Sequence, residues 1–246
     1  TVNGANNVGG IAGNISTTTA KTINQCANFG EISGNNNVGG IVGYVYYKCL
    51  VSNSYNKVSV NASVSKAGGL VGSMEDSGAV LTNCYTTGTV SGKQKFAPVV
   101  GNKLSGTVTN CYYLETVGTD SNATSKPDDE LKKLAGTLGE SFVTAPAGLN
   151  DGYPVLAFQI PRYDAVFTVD DENATVEIEG YTGVKNANVW SFRLADGSYS
   201  YRAYSFGKVE QRGTVTVQGG NVNTEIELQK AKTKPVKFTV KPDNIN

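Results

Sequence analysis

"NNVGGIVG", residues Asn36–Gly43, is one of four related copies that follow one another in the first half of the chain. The others read "NNVGGIAG" at Asn6–Gly13, "KAGGLVG" at Lys66–Gly72 and "FAPVVG" at Phe96–Gly101. The first three copies carry a glycine pair, and the first members of the pairs are 30 and 29 residues apart. These pairs are Gly9 and Gly10, Gly39 and Gly40, and Gly68 and Gly69. A fixed period of about 30 residues is typical of a stacked repeat architecture.

A second block follows each copy and keeps the same period. The blocks read "INQCANFGEISG", "VSNSYNKVSVN", "LTNCYTTGTVSG" and "VTNCYY" and begin at Ile23, Val51, Leu81 and Val108. One aligned column contains Cys26, Ser54, Cys84 and Cys111, and the residues before it are Gln25, Asn53, Asn83 and Asn110. Short β-rich runs between Gly, Asn and Ser turns predict strands, and no single unit can bury its apolar residues alone.

We therefore predict an all-β fold that begins with a parallel β-helix, or β-solenoid, of about four coils. The aligned aliphatic residues Ile11, Ile41, Leu70 and Val99 are expected to fill its interior. The asparagine column is expected to form a hydrogen-bonded ladder, and the small cysteines to occupy tight interior positions. The glycines would either turn corners with positive φ or let neighbouring backbones approach closely.

The "VGGIVG" blocks, each followed by a "NCY…G.VSG" block, resemble the GLUG-motif repeats of bacterial surface proteins and of non-catalytic regions in large secreted proteases. The resemblance covers residues 1–113, and the third unit is its cleanest copy. Ser54 and Val58 depart from the pattern in the second unit, and Ala97 and Pro98 replace the glycine pair in the fourth. The resemblance implies an extracellular solenoid that serves as a stalk or display region, with no catalytic residues to carry over.

Residues 114–161 lose the repeat and are predicted to cap the array. "SKPDDELKKLAG" has the start and stop signals of a helix over Pro127–Ala135, and Leu131, Leu134 and Leu138 would form its apolar stripe. An open solenoid end exposes strand edges, and this helix is expected to cover it. A "GYPVL" segment like that at Gly152–Leu156 often closes such arrays, by the same resemblance.

Residues 162–246 show six or seven short alternating strands, which predict an Ig-like or prealbumin-like β-sandwich. The Asp196-Gly197 pair predicts a tight hairpin, and Gly219–Asn221 another turn. "FTVDDEN" at Phe167–Asn173 resembles "FTVKPDN" at Phe238–Asn244, so residues 235–246 are interpreted as the first strand of a further copy. The domain is similar to small spacer domains of bacterial surface proteins.

Composition excludes several classes of function. Lys plus Arg and Asp plus Glu number 21 each, so no basic footprint for nucleic acid is present. No apolar stretch is long enough to insert into a membrane. Histidine is absent from the sequence, which excludes Ser–His and Cys–His nucleophile pairs. We expect neither an enzyme nor a cofactor, and because the chain begins inside a repeat we expect it to belong to a longer extracellular protein.

The cysteines are expected to be buried free thiols rather than metal ligands, because CxxC pairs are missing. A bridge between Cys84 and Cys111 on adjacent coils stays open, and Cys49 lies outside the column without an assigned role. The acidic runs at Asp128–Glu130 and Asp170–Glu172 lack the spacing of a calcium loop and are expected to be structural.

"YVYYK" contains the candidate ligand-stacking residues Tyr44, Tyr46 and Tyr47. Exposed tyrosine rings can stack on sugars, although ordinary strand packing would also explain them. The predicted function is a non-catalytic stalk, spacer or adhesin of a bacterial cell-surface or secreted protein, whose partners are host or cell-wall glycans or proteins. The alternative is a carbohydrate-binding accessory region of a secreted hydrolase or surface protease. The oligomeric state stays open.

Overall fold

The computed structural model describes residues 1–232, and the chain divides into one unit at Thr1–Ile160 and a second that begins at Pro161. The predicted further strand at 235–246 lies outside the described residues. No helix within the described range is both long and apolar enough to cross a membrane.

The first unit contains eighteen short strands, two short α-helices and three 3₁₀ turns at Glu115–Val117, Asn150–Gly152 and Ala157–Gln159. The strands are β1 (Val2–Asn3), β2 (Asn6–Gly9), β3 (Ala12–Ile15), β4 (Lys21–Asn24), β5 (Ala27–Asn28), β6 (Ile32–Gly39), β7 (Val42–Val45), β8 (Cys49–Asn56), β9 (Val60–Gly68), β10 (Val71–Met74), β11 (Val80–Thr86), β12 (Val90–Gly92), β13 (Phe96–Ala97), β14 (Val100–Lys103), β15 (Thr107–Leu114), β16 (Thr124–Lys126), β17 (Phe142–Val143) and β18 (Val155–Leu156). The helices are α1 (Asp128–Leu131) and α2 (Ala135–Leu138).

Strands β1 to β16 form three parallel sheets, and each coil of the chain adds one layer to every sheet. β17 and β18 form a separate antiparallel pair. The first sheet runs β1-β6-β9-β12 with β2 and β13 beside it, the second β14-β10-β7-β3, and the third β16-β15-β11-β8-β4 with β5 beside it. Equivalent repeat positions lie opposite one another, as when Val71 pairs with Val42 on one side and Val100 on the other. The predicted β-solenoid of about four coils is confirmed.

The first glycine of each pair is required by close approach of backbones and not by positive φ, since none of the paired glycines has a left-handed conformation. A Cβ added to Gly39 would overlap the carbonyl oxygen of Val42 in its own coil and would lie 2.7 Å from the backbone nitrogen of Gly72, in the next coil. The same contact joins Gly9 to Gly43, at 2.7 Å. The coils therefore touch at these corners through their main chains.

The second glycine of each pair faces a buried polar side chain. A Cβ on Gly40 would overlap the carbonyl oxygen of Gly69 in the next coil and would lie 2.8 Å from the Cβ of Asn56. A Cβ on Gly69 would overlap the Pro98 carbonyl oxygen in the next coil and would lie 2.9 Å from Oγ1 of Thr86. The fourth copy carries Ala97 and Pro98 at these positions. No further coil of this type follows in the described chain, which removes the contact that excludes a Cβ.

The aliphatic column fills the interior as predicted, with one exception. Ile41, Leu70 and Val99 are fully buried, and the Ile41 and Leu70 nitrogens donate to the carbonyl oxygens of Leu70 and Val99 at 2.9 and 3.0 Å. Ile11 is 47% exposed, because it has a neighbouring coil on one side only.

An aspartate that the repeat pattern does not include ends the hydrogen-bond ladder. The Leu70 and Val71 nitrogens both donate to the Val99 carbonyl, at 3.0 Å each. In the last coil the Val99 and Val100 nitrogens donate instead to one carboxylate oxygen of buried Asp120, at 3.0 and 2.9 Å. The carboxylate thus replaces the carbonyl that another coil would supply.

The predicted helix over Pro127–Ala135 is wrong in its extent, because two four-residue helices, α1 and α2, occupy this region. A helix this short has little intrinsic stability, so packing decides its course. Leu131, Leu134 and Leu138 are all buried, as the stripe requires, but hydrogen bonds of i→i+3 spacing from Lys133 and Leu134 tighten the chain between the helices.

The position predicted for this segment is also wrong. The three leucines cluster with Tyr55 and Tyr85 of the third sheet, so the segment covers the outer face of that sheet and not the end of the solenoid. We call residues 127–159 the lateral cover. The end is capped by the preceding residues, through Asp120 and through β16, which pairs with β15.

The second unit contains seven described strands around one apolar cluster. They are β19 (Tyr163–Val169), β20 (Thr175–Ile178), β21 (Val184–Asn186), β22 (Val189–Leu194), β23 (Gly197–Tyr204), β24 (Gln211–Val217) and β25 (Val222–Ile226). A four-stranded sheet runs β21-β22-β19-β25 and a three-stranded sheet runs β20-β23-β24. All the pairs are antiparallel except β19 with β25.

The predicted hairpin at Asp196-Gly197 is wrong, because β22 and β23 belong to different sheets. The Asp196 carboxylate accepts a hydrogen bond of 2.7 Å from the Gly219 nitrogen, and Gly219 lies in the turn between β24 and β25. That turn also joins strands of different sheets. The Asp-Gly pair therefore stabilises a connection between two sheets. The dipeptide alone does not distinguish such a connection from a hairpin.

We predict that Gly40→Ala lowers the free energy of unfolding by about 1–3 kcal/mol, because the new Cβ meets backbone and a buried side chain that cannot move aside. Gly136→Ala is the matched control, since nothing lies within 4 Å of its added Cβ and it lies in α2. Urea denaturation of both variants measures the difference. Equal stability of the two variants would show that the corner has room for a side chain.

Candidate functional site

One column of the second sheet, outside the interior apolar cluster, concentrates polar side chains along the solenoid, and two of them, Ser73 and Asn102, are buried. Its members occupy equivalent places in four coils and lie in register: Asn14, Tyr44, Ser73 and Asn102. Beside it runs a column of residues in the left-handed conformation: Asn7, Asn37, Lys66 and Lys95, with φ of 53°, 52°, 60° and 37°. We call these two columns and Glu75 the polar face.

Glu75 is the centre of this face. Its carboxylate accepts hydrogen bonds from the Tyr44 hydroxyl at 2.8 Å, the Ser73 hydroxyl at 3.1 Å and the Lys66 ammonium at 3.3 Å. Burial alone would raise the pKa of Glu75, but the hydrogen bonds from Tyr44, Ser73 and Lys66 outweigh it and lower the pKa. The carboxylate is therefore held charged by neighbours from three strands.

The three candidate stacking tyrosines form one cluster at the edge of the polar face. The Tyr44 and Tyr46 rings stack with centroids 5.9 Å apart, and Tyr47 meets Tyr46 edge-on at 4.9 Å. Tyr46 is 46% exposed, whereas Tyr44 and Tyr47 are partly buried. Burial and the hydrogen bond to Glu75 raise the pKa of Tyr44 to about 12, so this hydroxyl stays protonated. The cluster leaves the Tyr46 ring as its main accessible surface.

A second tyrosine column, in the third sheet, is not accessible. Tyr55 and Tyr85 stack with centroids 4.9 Å apart and planes 6° apart, and both are fully buried under the lateral cover. Tyr55 donates to the Gln159 side chain at 3.0 Å, and Tyr85 donates to the Pro154 carbonyl. These rings anchor the cover and offer no face to a ligand.

The predicted asparagine ladder is confirmed for three of its four positions. Asn110 donates to Asn83 at 2.8 Å, and Asn83 donates to Asn53 at 3.2 Å. All three have positive φ, near 50°, a conformation that asparagine tolerates better than most residues. Gln25 shares the left-handed conformation but donates to Ser141 in the lateral cover instead.

All four cysteines are free thiols, and three of them share one local contact. The thiols of Cys26, Cys84 and Cys111 donate to the carbonyl two residues earlier, at 3.5, 3.1 and 3.2 Å. The Ser54 hydroxyl makes the same contact at 2.7 Å, which explains how serine replaces cysteine in the second coil.

Burial makes Cys49 and Cys84 poor nucleophiles. Cys84 and Cys111 are in register but are not bridged, and burial together with the neighbouring Cys111 raises the pKa of Cys84 well above its ordinary value. Cys49 lies in the interior cluster, where burial raises its pKa to about 11, so it serves as a small core residue. Cys26 is only partly buried.

The two acidic runs are occupied by local contacts. Asp128, Asp129 and Glu130 pair with lysines of the same segment at 2.7–3.0 Å. In the second unit, Asp170 accepts from the Leu228 nitrogen at 2.9 Å and Asp171 from the Asn173 nitrogen at 2.9 Å. Within residues 1–232, no group of three or more His, Cys, Asp or Glu side chains is arranged to hold a metal ion.

Sequence reasoning missed two structural features. Asn28, Asn56 and Thr86 form a buried polar column two residues after the cysteine column, and Asn28 donates to Asn56 at 2.8 Å. Their spacing was visible in the repeat alignment and could have identified them. Asp120 could not be found this way, because it occurs once and its partners lie about 20 residues earlier in the chain.

A family model of the GLUG motif matches residues 34–61, which span parts of the second and third coils. No curated protein and no solved structure matches the chain. The match agrees with the repeats identified from the sequence, and the chain thus carries a GLUG motif in a β-solenoid.

We predict that Glu75→Gln destabilises the protein at neutral pH and that its deficit relative to wild type shrinks as the solution is acidified. A carboxyl whose folded pKa is lowered adds stability above its unfolded pKa, near 4.5, and loses it as the pH falls through the folded value. Denaturation from pH 7 to pH 3 measures the difference, with exposed Glu31→Gln as the control. A deficit independent of pH would contradict the charged network.

Proposed function

We propose that this chain is a non-catalytic structural or adhesive module of a bacterial cell-surface or secreted protein, acting as a stalk, spacer or adhesin. The observation that carries the proposal is the continuous in-register pairing of main chains through four coils. Each coil contacts the next at glycine corners that admit no side chain, so the layers cannot slide without breaking several ladders together. We propose an extracellular location because the repeats resemble those of GLUG-repeat surface proteins.

The lateral cover supports this role because it joins different coils. Its Leu131, Leu138 and Phe142 contact the stacked rings of Tyr55 and Tyr85, which belong to the second and third coils. Contacts that join adjacent coils suit a module that must keep its length when it is pulled.

We further propose that the second unit is an Ig-like or prealbumin-like β-sandwich spacer. Its four-stranded and three-stranded sheets share one apolar cluster, in which Phe167 meets Phe192 and Tyr201 at ring distances of 5.7 and 4.9 Å. Tandem sandwiches are a common way to extend surface proteins, and the sequence resemblance noted above supports the same reading.

Force spectroscopy on the whole chain, held between two reference domains, tests the stalk proposal. We expect the first unit to unfold in one or a few cooperative steps that together release on the order of 500 Å of contour length. Gly40→Ala should lower the unfolding force, whereas Gly136→Ala should not. Gradual extension of the wild-type unit at low force would overturn the stalk proposal.

A second candidate, glycan binding, is favoured by the exposed face of Tyr46 within the three-ring cluster. An aromatic ring of this kind presents an apolar face to a sugar, and Tyr47 supports it from the side. This function would make the chain an adhesin or a carbohydrate-binding accessory region.

We predict that a Tyr46→Ala/Tyr47→Ala variant loses its glycan-array signal while its melting temperature changes little, because neither ring belongs to a buried apolar cluster. Phe158→Ala is the control, since this ring is 66% exposed and lies in the lateral cover. An array signal that survives in the double variant would exclude the tyrosine cluster as the binding site.

A further inference from the structure

A groove at the last coil of the solenoid combines positive charge with a bare aromatic ring. It has a volume of about 730 Å³ and lies between strands of the fourth coil and the end cap. The residues that line it include Lys95, Phe96 and Lys103 of the fourth coil and Ser121 and Asn122 of the end cap. The volume lies within the range of small-molecule sites.

The exposed ring breaks the repeat pattern. In the three preceding coils the equivalent position is a buried Val8, Val38 or Ala67, whereas Phe96 is 52% exposed. The end cap protects the second and third sheets through Asp120 and β16, so Phe96 at the edge of the first sheet keeps an open face. Replacing a small buried residue by a large exposed ring adds apolar surface that the fold itself does not use.

The charge of the groove is positive. Among the described residues that line it, Asp120 is the one acid, and both its oxygens are occupied: one by the Val99 and Val100 nitrogens, the other by the backbone and side-chain nitrogens of Asn122 at 2.8 and 3.0 Å. The Lys95 ammonium makes one hydrogen bond, to Asn102 at 3.1 Å, and retains further donors. Lys103 is exposed.

We propose that this groove binds an anionic oligosaccharide, with Phe96 stacking on a sugar ring and Lys95 and Lys103 contacting its carboxylate or sulfate groups. The whole chain has no net charge, so the attraction comes from this local pair and not from a generally basic surface. The ring requires a flat apolar face in the ligand, which a pyranose supplies and a simple anion does not. The site is distinct from the Tyr46 cluster and does not depend on the stalk proposal.

The repeat itself supplies matched variants for the test. Lys95→Asn removes the charge but keeps a residue that tolerates the left-handed conformation, as Asn37 does at the equivalent position. Lys66→Asn makes the same change one coil earlier, where the lysine is paired with Glu75 outside the groove. Phe96→Leu removes the ring but keeps an apolar side chain in β13.

Isothermal titration of the whole chain would use trigalacturonate and a heparin-derived tetrasaccharide as carboxylated and sulfated probes, with maltotriose as the neutral comparison. We expect at least one anionic probe to bind, and Lys95→Asn/Lys103→Gln and Phe96→Leu each to weaken it about tenfold, or roughly 1.4 kcal/mol. Lys66→Asn should stay within about twofold of wild type, because the Lys66 ammonium pairs with Glu75 and does not line the groove.

Several outcomes would overturn the proposal. The proposal fails if neither anionic probe binds to the wild type, or if maltotriose binds equally well. Lys66→Asn weakening the binding as much as the groove variants would show a general charge effect. An oligothymidylate that binds as tightly as the sugars, with no loss in Phe96→Leu, would identify a non-specific polyanion surface. Circular dichroism melting of every variant separates lost binding from lost folding.

Discussion

The architecture of the first unit depends on the contact between the glycine corner of one coil and the main chain of the next. At Gly39 the neighbouring backbone nitrogen lies where a side chain would begin, and at Gly40 a buried asparagine occupies that space. The close contact at these corners sets the spacing between coils. At that spacing Ile41 pairs with Leu70 and the asparagine side chains of successive coils form hydrogen bonds. Any side chain in place of either glycine would push the coils apart and would weaken the pairing in all three sheets.

The sequence predicted the solenoid well because its constraints repeat. Period, register and the interior column follow from residues that recur every 30 positions, and four copies make chance agreement improbable. The physical reason why each residue type recurs could not be predicted as well. Glycine suggests positive φ, yet Asn53, Asn83 and Asn110 are the residues that adopt the left-handed conformation. The paired glycines are required by close contacts with the neighbouring coil, which are visible only in the structure. The Asp196-Gly197 hairpin failed for a related reason, since a dipeptide does not specify which sheet the next strand joins.

The candidate site was predictable only in part. Residue type identified the tyrosines, but it could not separate exposed Tyr46 from buried Tyr85, because the difference arises from a cover that lies more than 40 residues further along the chain. Nothing in the sequence around Glu75 singles it out. Its network with Tyr44 and Lys66 joins different coils, so no short stretch of sequence contains it.

The last coil shows how a repeat structure acquires individual features. Inside the array, each position is constrained by coils on both sides, which excludes Cβ atoms at the corners and large side chains in the interior columns. In the fourth coil one neighbour is replaced by the end cap, and Asp120 supplies the acceptor that the ladder needs. Alanine and proline then become tolerable at the corner, and Phe96 can replace a small buried residue. The fourth coil can therefore carry a side chain such as Phe96 at a position where the contacts between inner coils admit only a small buried residue.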